Sequence, residues 1–151
     1  MKDTTKRYKA NENCDYDCQD IKTDDKYQFG CEFEFYIDTK RLNFDDTIEK
    51  IIAEIKQFSN VDILVDLTSL PLDKDKNHCI QIKPDSSLQG NGIEISIPIT
   101  SQQGVNHYLD NILPLIEKYG FTNEETGLHF HISTIKKDGV NFNLYIYIMN
   151  T

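Results

Sequence analysis

The sequence predicts an α+β domain in which a mostly antiparallel sheet carries two helices on one face. Three observations lead there: short runs that alternate apolar and polar residues, two longer runs with apolar residues at helical spacing, and turn-type separations between neighbouring strand runs. The 151 residues suit one such domain, and a composition of 38% hydrophobic and 27% charged residues suits a folded core better than a disordered chain.

Residues 1–27 are dense in charge and poor in core-forming side chains, with Asp15, Asp17, Asp20, Asp24 and Asp25 among Lys and Asn. They are expected to form a flexible acidic arm ahead of a single domain over 28–151. Cys14 and Cys18 form a CxxxC pair within it. A zinc site there would need two further ligands, and no second pair at matching spacing supplies them.

From Phe29 to Ile37 the run FGCEFEFYI puts Phe29, Cys31, Phe33 and Phe35 on one strand face and Glu32 and Glu34 on the other. Asn43 then precedes Phe44, Ile48, Ile51, Ile52, Ile55 and Phe58 at helical spacing, with Asp45, Asp46 and Glu49 in the early turns where the helix dipole favours anions. Val61–Leu67 reads as a second strand and SLPLDKDKN as a loop. His78–Lys83 and Gly92–Ile97 read as a hairpin-like pair around PDSSLQGN. Ser101 can cap a second helix carrying Val105, Tyr108, Leu109, Ile112, Ile116 and Tyr119 and closed by Gly120. Pro114 inside it costs about 3 kcal/mol of helix propensity unless a kink accommodates it. Leu128–Ile135 and Val140–Met149, joined by KKDG, read as a C-terminal hairpin.

Lys+Arg number 16 against 25 Asp+Glu, a net charge of −9 that repels phosphate backbones and anionic lipid surfaces. Nucleic acid and membrane are therefore not expected as partners. No apolar run is long enough for a transmembrane helix, and the start MKDTTKRYKANENC has no apolar stretch of the secretory kind. A cytoplasmic location with thiol cysteines is the default expectation. Arg7 and Arg41 are the only arginines, so the bidentate fork that clamps phosphates is scarce.

Three pairs of residues carry the chemistry. Glu32 and Glu34 place like charges ~7 Å apart on one strand face, a pair that attracts a cation or, equally in keeping with its position, faces solvent on an edge strand. His129 and His131 share one face of another strand, where two imidazoles can meet a metal or phosphate or simply cover a half-solvated surface. Glu94 and Ser96 form the third pair. If the three strands share a sheet and their polar faces agree, three Glu and two imidazoles form a surface suited to Mg²⁺ or Mn²⁺. Asp85 and Ser87 would add an acceptor and a hydroxyl at the rim, unless they form only a plain Asx-type turn. The two histidines alone would also suit an iron oxygenase of the cupin kind. Such sites add a Glu shortly after the second His, where this chain has Ile132-Ser133-Thr134-Ile135.

FGCEFEF, PDSSLQGNGIEISIP and TGLHFHIS, in that order, resemble the amidoligase and carboxylate-amine ligase family, relatives of glutamine synthetase and glutamate-cysteine ligase. The matching elements are Gly30-Cys31-Glu32-Phe33-Glu34, Asp85-Ser86-Ser87 followed by Gly92-Ile93-Glu94 and Pro98, and Gly127-Leu128-His129-Phe130-His131-Ile132. They span Phe29 to Ser133. The resemblance implies the core of the glutamine synthetase-like fold and an ATP- and Mg²⁺- or Mn²⁺-dependent ligation, in which a carboxylate becomes an acyl phosphate and an amine displaces phosphate. It also implies roles: Glu32, Glu34, Glu94 and His129 as metal ligands, His129 and His131 near the nucleotide phosphates, and Asp85 and Ser87 near the acceptor or amine site. Small-molecule or peptide carboxylates and amines are the implied substrates. Family members carry Gly where Ser86 stands and continue further after the HxH strand. The chain is thus expected to be a C-terminally short member, completed by a partner chain or acting as a catalytically incomplete interaction module.

Overall fold

Alternation along the run that starts at Tyr27 decides which side of the sheet meets the helices. The computed structural model describes residues 5–14, 26–68, 78–134 and 143–149. Within these, the order is β1 (Lys6–Tyr8), β2 (Tyr27–Ile37), α1 (Phe44–Phe58), β3 (Ile63–Val65), β4 (Ile80–Pro84), β5 (Gly92–Ser96), α2 (Gln102–Tyr119), β6 (Gly120–Phe121), β7 (Gly127–Thr134) and β8 (Asn143–Met149). The sheet runs β1-β3-β4-β5-β2-β7-β8, with the short β6 also paired to β2. All pairings are antiparallel except β3 with β4. The expected α+β class, with a mostly antiparallel sheet and two helices, is what the chain adopts.

One face of β2 presents Cys31, Phe33, Phe35 and Ile37 to a core shared with Ile93 and Ile95 of β5, Ile80 and Ile82 of β4 and the inner faces of both helices. Each large apolar side chain buried there stabilises the fold by about 1.5–3 kcal/mol. Helix α1 supplies Ile48, Ile51, Ile52 and Ile55. Its N-cap Asn43 accepts the Asp46 N–H at 2.8 Å, and Asp45 and Asp46 sit in the first turn, where the orphan N–H groups attract negative charge. Helix α2 is capped by Ser101, which accepts from Gly104 N–H at 3.1 Å. Pro114 lies within it. Both Pro114 and Asp110 are exposed, so the carbonyl that the proline ring leaves without a helical donor is on the water side.

Two strands lie outside the expected set. Residues 6–8, expected within a free arm, pair with β3. They are tied further by Arg7 donating to Asp62 at 2.8 Å, Ala10 N–H donating to Asp62 at 2.7 Å and Tyr8 donating to Glu49 at 2.7 Å. The pairing and these ion and hydrogen bonds come from residues more than 40 positions on, which is why local composition missed them. β6 is only two residues long and pairs with the end of β2 at Tyr36 and Ile37. Cys18, the SLPLDKDKN loop and the KKDG turn lie outside the described residues.

The turn between β4 and β5 is held close to the sheet. Gly90 takes φ +66, a conformation open to glycine. A Cβ at Gly92 would meet the Leu88 side chain at 2.3 Å, so glycine there lets the buried Leu88 close the turn. Asp85, at the start of this turn, is thereby brought next to β5.

Candidate functional site

The face of the sheet away from the helices gathers the predicted residues through register alone. Glu34 pairs with Glu94 of β5, and Glu32 pairs with Ser96 on one side and with His129 of β7 on the other. His131 is opposite Gly30, two residues further along. Because directly paired residues point to the same side, carboxylates from β2 and β5 and imidazoles from β7 meet on one surface.

Two overlapping groups result. In the first, Glu34, Asp85 and Glu94 each bring a carboxylate oxygen within 4.8 Å of the others. Glu34 and Glu94 are 5% and 7% exposed, so both acids are nearly dry. In the second, Glu32 takes up both imidazoles: Oε2 is 3.2 Å from His129 Nδ1 and Oε1 is 3.3 Å from His131 Nε2. His129 links the groups, since its Nε2 is 3.3 Å from Glu34 Oε1. The set expected to hold the metal was Glu32, Glu34, Glu94 and His129. The geometry gathers Glu34 and Glu94 with Asp85, and leaves Glu32 between the histidines.

Asp85, expected near the acceptor or amine site, lies with Glu34 and Glu94 in the carboxylate cluster. Its Oδ1 accepts the Ser87 N–H at 2.7 Å and the Ser87 hydroxyl at 2.6 Å, an Asx-type turn that fixes the carboxylate. Ser87 itself is exposed and its hydroxyl is committed to Asp85, so it orients the acid from the rim.

Electrostatics sort the acids. Burial, a hydrogen bond to Asp85 and the charges of Asp85 and Glu94 push the Glu34 carboxyl up to about 8. Burial and the Glu32 charge also raise Glu94, against the pull of Lys83 and Ser96. Burial works to raise Asp85 too, but the two Ser87 contacts and hydrogen bonds from the neighbouring Glu residues outweigh it and hold the group below its usual range. Within this group Glu34 is thus the acid that holds a proton more readily and Asp85 the one that ionises more readily. Glu32 is lowered by its hydrogen bond to His131, despite burial, and the same bond raises His131. Such a cluster of close, dry carboxylates is costly without a cation and suited to one.

Two participants escaped the sequence reading. Lys83 Nζ lies 3.3 Å from Glu94 Oε1, and Gln81, 2% exposed, pairs with Ser96. The alternation of HCIQIK, which places Gln81 and Lys83 on one face, was the available signal. Ser96 donates to Glu94 Oε1 at 2.8 Å, as its place two residues along the strand suggests.

No family model, curated protein or solved structure matches the chain. No helix among the described residues is long and apolar enough to cross a membrane.

The donor set fits a hard divalent cation. Oxygens on opposite sides of one Mg²⁺ are about 4.2 Å apart and those around Ca²⁺ about 4.6–5.2 Å apart, given their usual metal–oxygen lengths. Oxygens that all lie within 4.8 Å of one another are close enough to share one such cation. Among the described residues the gathered cluster is made of carboxylates alone, with no thiolate to favour a softer metal.

Proposed function

We propose that Glu34, Asp85 and Glu94 hold a divalent cation, Mg²⁺ or Mn²⁺, that serves an ATP-dependent carboxylate-amine ligase of the amidoligase kind. One observation carries the cation: three carboxylate oxygens from β2, β5 and the turn before β5 lie within 4.8 Å of one another on a mostly buried sheet face. What supports the ligase reading is the order of the ExE, D-S-S/GIE and HxH motifs along the chain, together with their meeting on this one face. When bound, the cation neutralises triphosphate charge and orients the transferred phosphoryl group. The chain's own residues do the remaining work. Glu34 would meet a cation as its carboxylate, Ser87 holds Asp85 ionised through two hydrogen bonds, and Glu32 and Glu34 fix the ring of His129, and Glu32 that of His131, beside the carboxylate cluster.

A second reading, an incomplete domain that works through a partner chain, is favoured by the arginine content. Of the two arginines, Arg7 is engaged with Asp62 at the far edge of the sheet, and phosphoryl-transfer sites usually rely on arginine forks.

Calorimetric titration of Mn²⁺, with and without ATP, separates the levels of this reading. Saturable Mn²⁺ binding that Glu94→Gln weakens at least ten-fold supports the site. Absence of binding in folded protein removes it. ADP release that depends on added carboxylates and amines supports the ligase, whereas Mn²⁺ binding with ADP release at background favours the incomplete domain.

A further inference from the structure

The two edges of the sheet are built differently. At one end β1 is three residues long and carries Lys6 and Arg7, and a short, charged strand discourages another from joining it. At the other end β8 runs for seven residues, NLYIYIM, with no charge and no proline. At about 3.4 Å per residue this is an edge roughly 24 Å long. It pairs with β7 without a bulge, from Met149 opposite Gly127 to Asn143 opposite Ser133, and among the described residues no strand lies on its outer side. Alternate residues of such an edge direct their backbone N–H and C=O groups outward, which is a template for one more strand.

The apolar face of the sheet continues past the point where burial ends. Cys31 of β2, Phe130 of β7 and Ile146 of β8 stand in one row across the sheet through their register. Cys31 is 1% exposed, Phe130 is half-buried against the core and Ile146 is 38% exposed. The neighbouring rows are Phe33, Leu128 and Ile148 on one side and Phe29, Ile132 and Leu144 on the other. An apolar surface carried to an open strand edge in this way marks a place of association.

Sequence and charge select the occupant. Outward from Ile146 the strand is nearly the same in both directions, first Tyr145 and Tyr147, then Leu144 and Ile148. An antiparallel copy centred on Ile146 therefore sets isoleucine opposite isoleucine, tyrosine opposite tyrosine and Leu144 opposite Ile148, so that like meets like on each face. A chain of net charge −9 repels its own copy, and nothing at this edge adds to that repulsion, since β7 and β8 contain no Lys, Arg, Asp or Glu. We propose that β8 pairs antiparallel with β8 of a second copy about a two-fold axis at Ile146, joining the two sheets into one. The axis is perpendicular to the sheet, so the helices of both copies share one side and the carboxylate clusters the other. The pairing uses up the long edge of both copies and leaves the short, charged β1 edges outside, which stops assembly at two. Glu34, Asp85 and Glu94 lie on β2, β5 and the turn before β5, away from the joint, so the dimer forms with or without a bound cation.

Sedimentation velocity and light scattering on the full, metal-free chain read the mass directly, and a concentration-dependent equilibrium between 17.5 kDa and twice that mass is expected. Ile146→Lys and Ile146→Glu, at an exposed position, each set like charges against one another across the axis. Each should weaken the dimer at least ten-fold while circular dichroism shows the fold intact. Mixing the two variants places an ammonium opposite a carboxylate at the axis and should restore association at least ten-fold over either variant alone, a rescue specific to pairing centred on Ile146. Hydrogen exchange on the parent chain needs no variant: outward-facing amides of β8 should slow as concentration rises, and those of β1 should not. A folded parent that stays monomeric up to its solubility limit, a dimer that neither substitution weakens, a mixture that associates no better than its components, β8 amides that exchange equally fast in monomer and dimer, or association that runs on beyond two copies would each overturn the proposal.

Discussion

Phe35 and Glu34 are neighbours on β2, both almost fully buried, and they lie on opposite faces of the same sheet. On the helix side, Phe33, Phe35, Ile93 and Ile95 belong to one hydrophobic core. On the other side, Glu34 and Glu94 are nearly as dry but meet Asp85 and each other, three acids with Lys83 as the neighbouring ammonium. The first arrangement lowers the free energy of the folded state and the second raises it. Burial at equal depth therefore means stability on one face and a stored capacity to bind a cation on the other.

The largest effect belongs to the apolar face. Phe35→Ala is expected to destabilise the fold by about 3–5 kcal/mol, measured by urea denaturation, because the helices cannot collapse onto the space left behind. A loss below about 1 kcal/mol would mean that this face is not the stabilising one.

Glu34→Gln should do the reverse. It removes an acid that must bind a proton to be accommodated in the folded cluster at neutral pH, so the metal-free variant should melt at the same or higher temperature at pH 7 while Mn²⁺ binding falls at least ten-fold. A variant that melts well below the parent would place Glu34 among the structural residues and end the contrast between the faces.

The same acid makes stability depend on pH. With the folded carboxyl raised from 4.5 to about 8, the folded chain binds more protons than the unfolded one between those values. Its contribution is complete below pH 4.5 and is lost as pH rises toward 8, at up to about 1.4 kcal/mol per pH unit for one proton. His131, also raised, acts in the same direction above its ordinary value of 6.5. The metal-free protein should thus lose thermal stability from pH 5 to pH 8, and Glu34→Gln should flatten most of that slope. Mn²⁺ binding near pH 7 should release close to one proton, read as a dependence of the calorimetric heat on buffer ionisation.

Smaller effects sharpen the picture at the rim. Lys83→Met removes the ammonium that competes for Glu94 and should strengthen Mn²⁺ binding a few-fold, with a change in stability of about 0–1 kcal/mol expected for a partly exposed pair. Ser87→Ala deletes the hydroxyl that fixes Asp85 and should weaken Mn²⁺ binding about two- to five-fold, in line with one hydrogen bond of roughly 0.5–1 kcal/mol.

Much of the fold was legible in particular residues. Asn43 and Ser101 announced the two helices, and FGCEFEF, GIEIS and GLHFHIST announced their strands together with the faces on which Glu32, Glu34, Glu94, His129 and His131 stand. β1 and β6 were not legible, since three and two residues are too few to show a period and only their partners make them strands. The parallel pairing of β3 with β4 was equally hidden, because neither strand's alternation states its neighbour's direction.

At the site the division is the same. Alternation and capping act over a few residues, so the sequence by itself determined the helices, most strands and the side of the sheet on which each acid and imidazole lies. Register and turn direction depend on how distant segments pack, and only the tertiary structure decided that Glu34 lies opposite Glu94, that Leu88 packing on Gly92 brings Asp85 into their company, and that Glu32 stays with the histidines. A slip of one residue between β2 and β5 would have sent one strand's carboxylates into the core, and the shared burial of Phe33, Phe35, Ile93 and Ile95 is what prevents it.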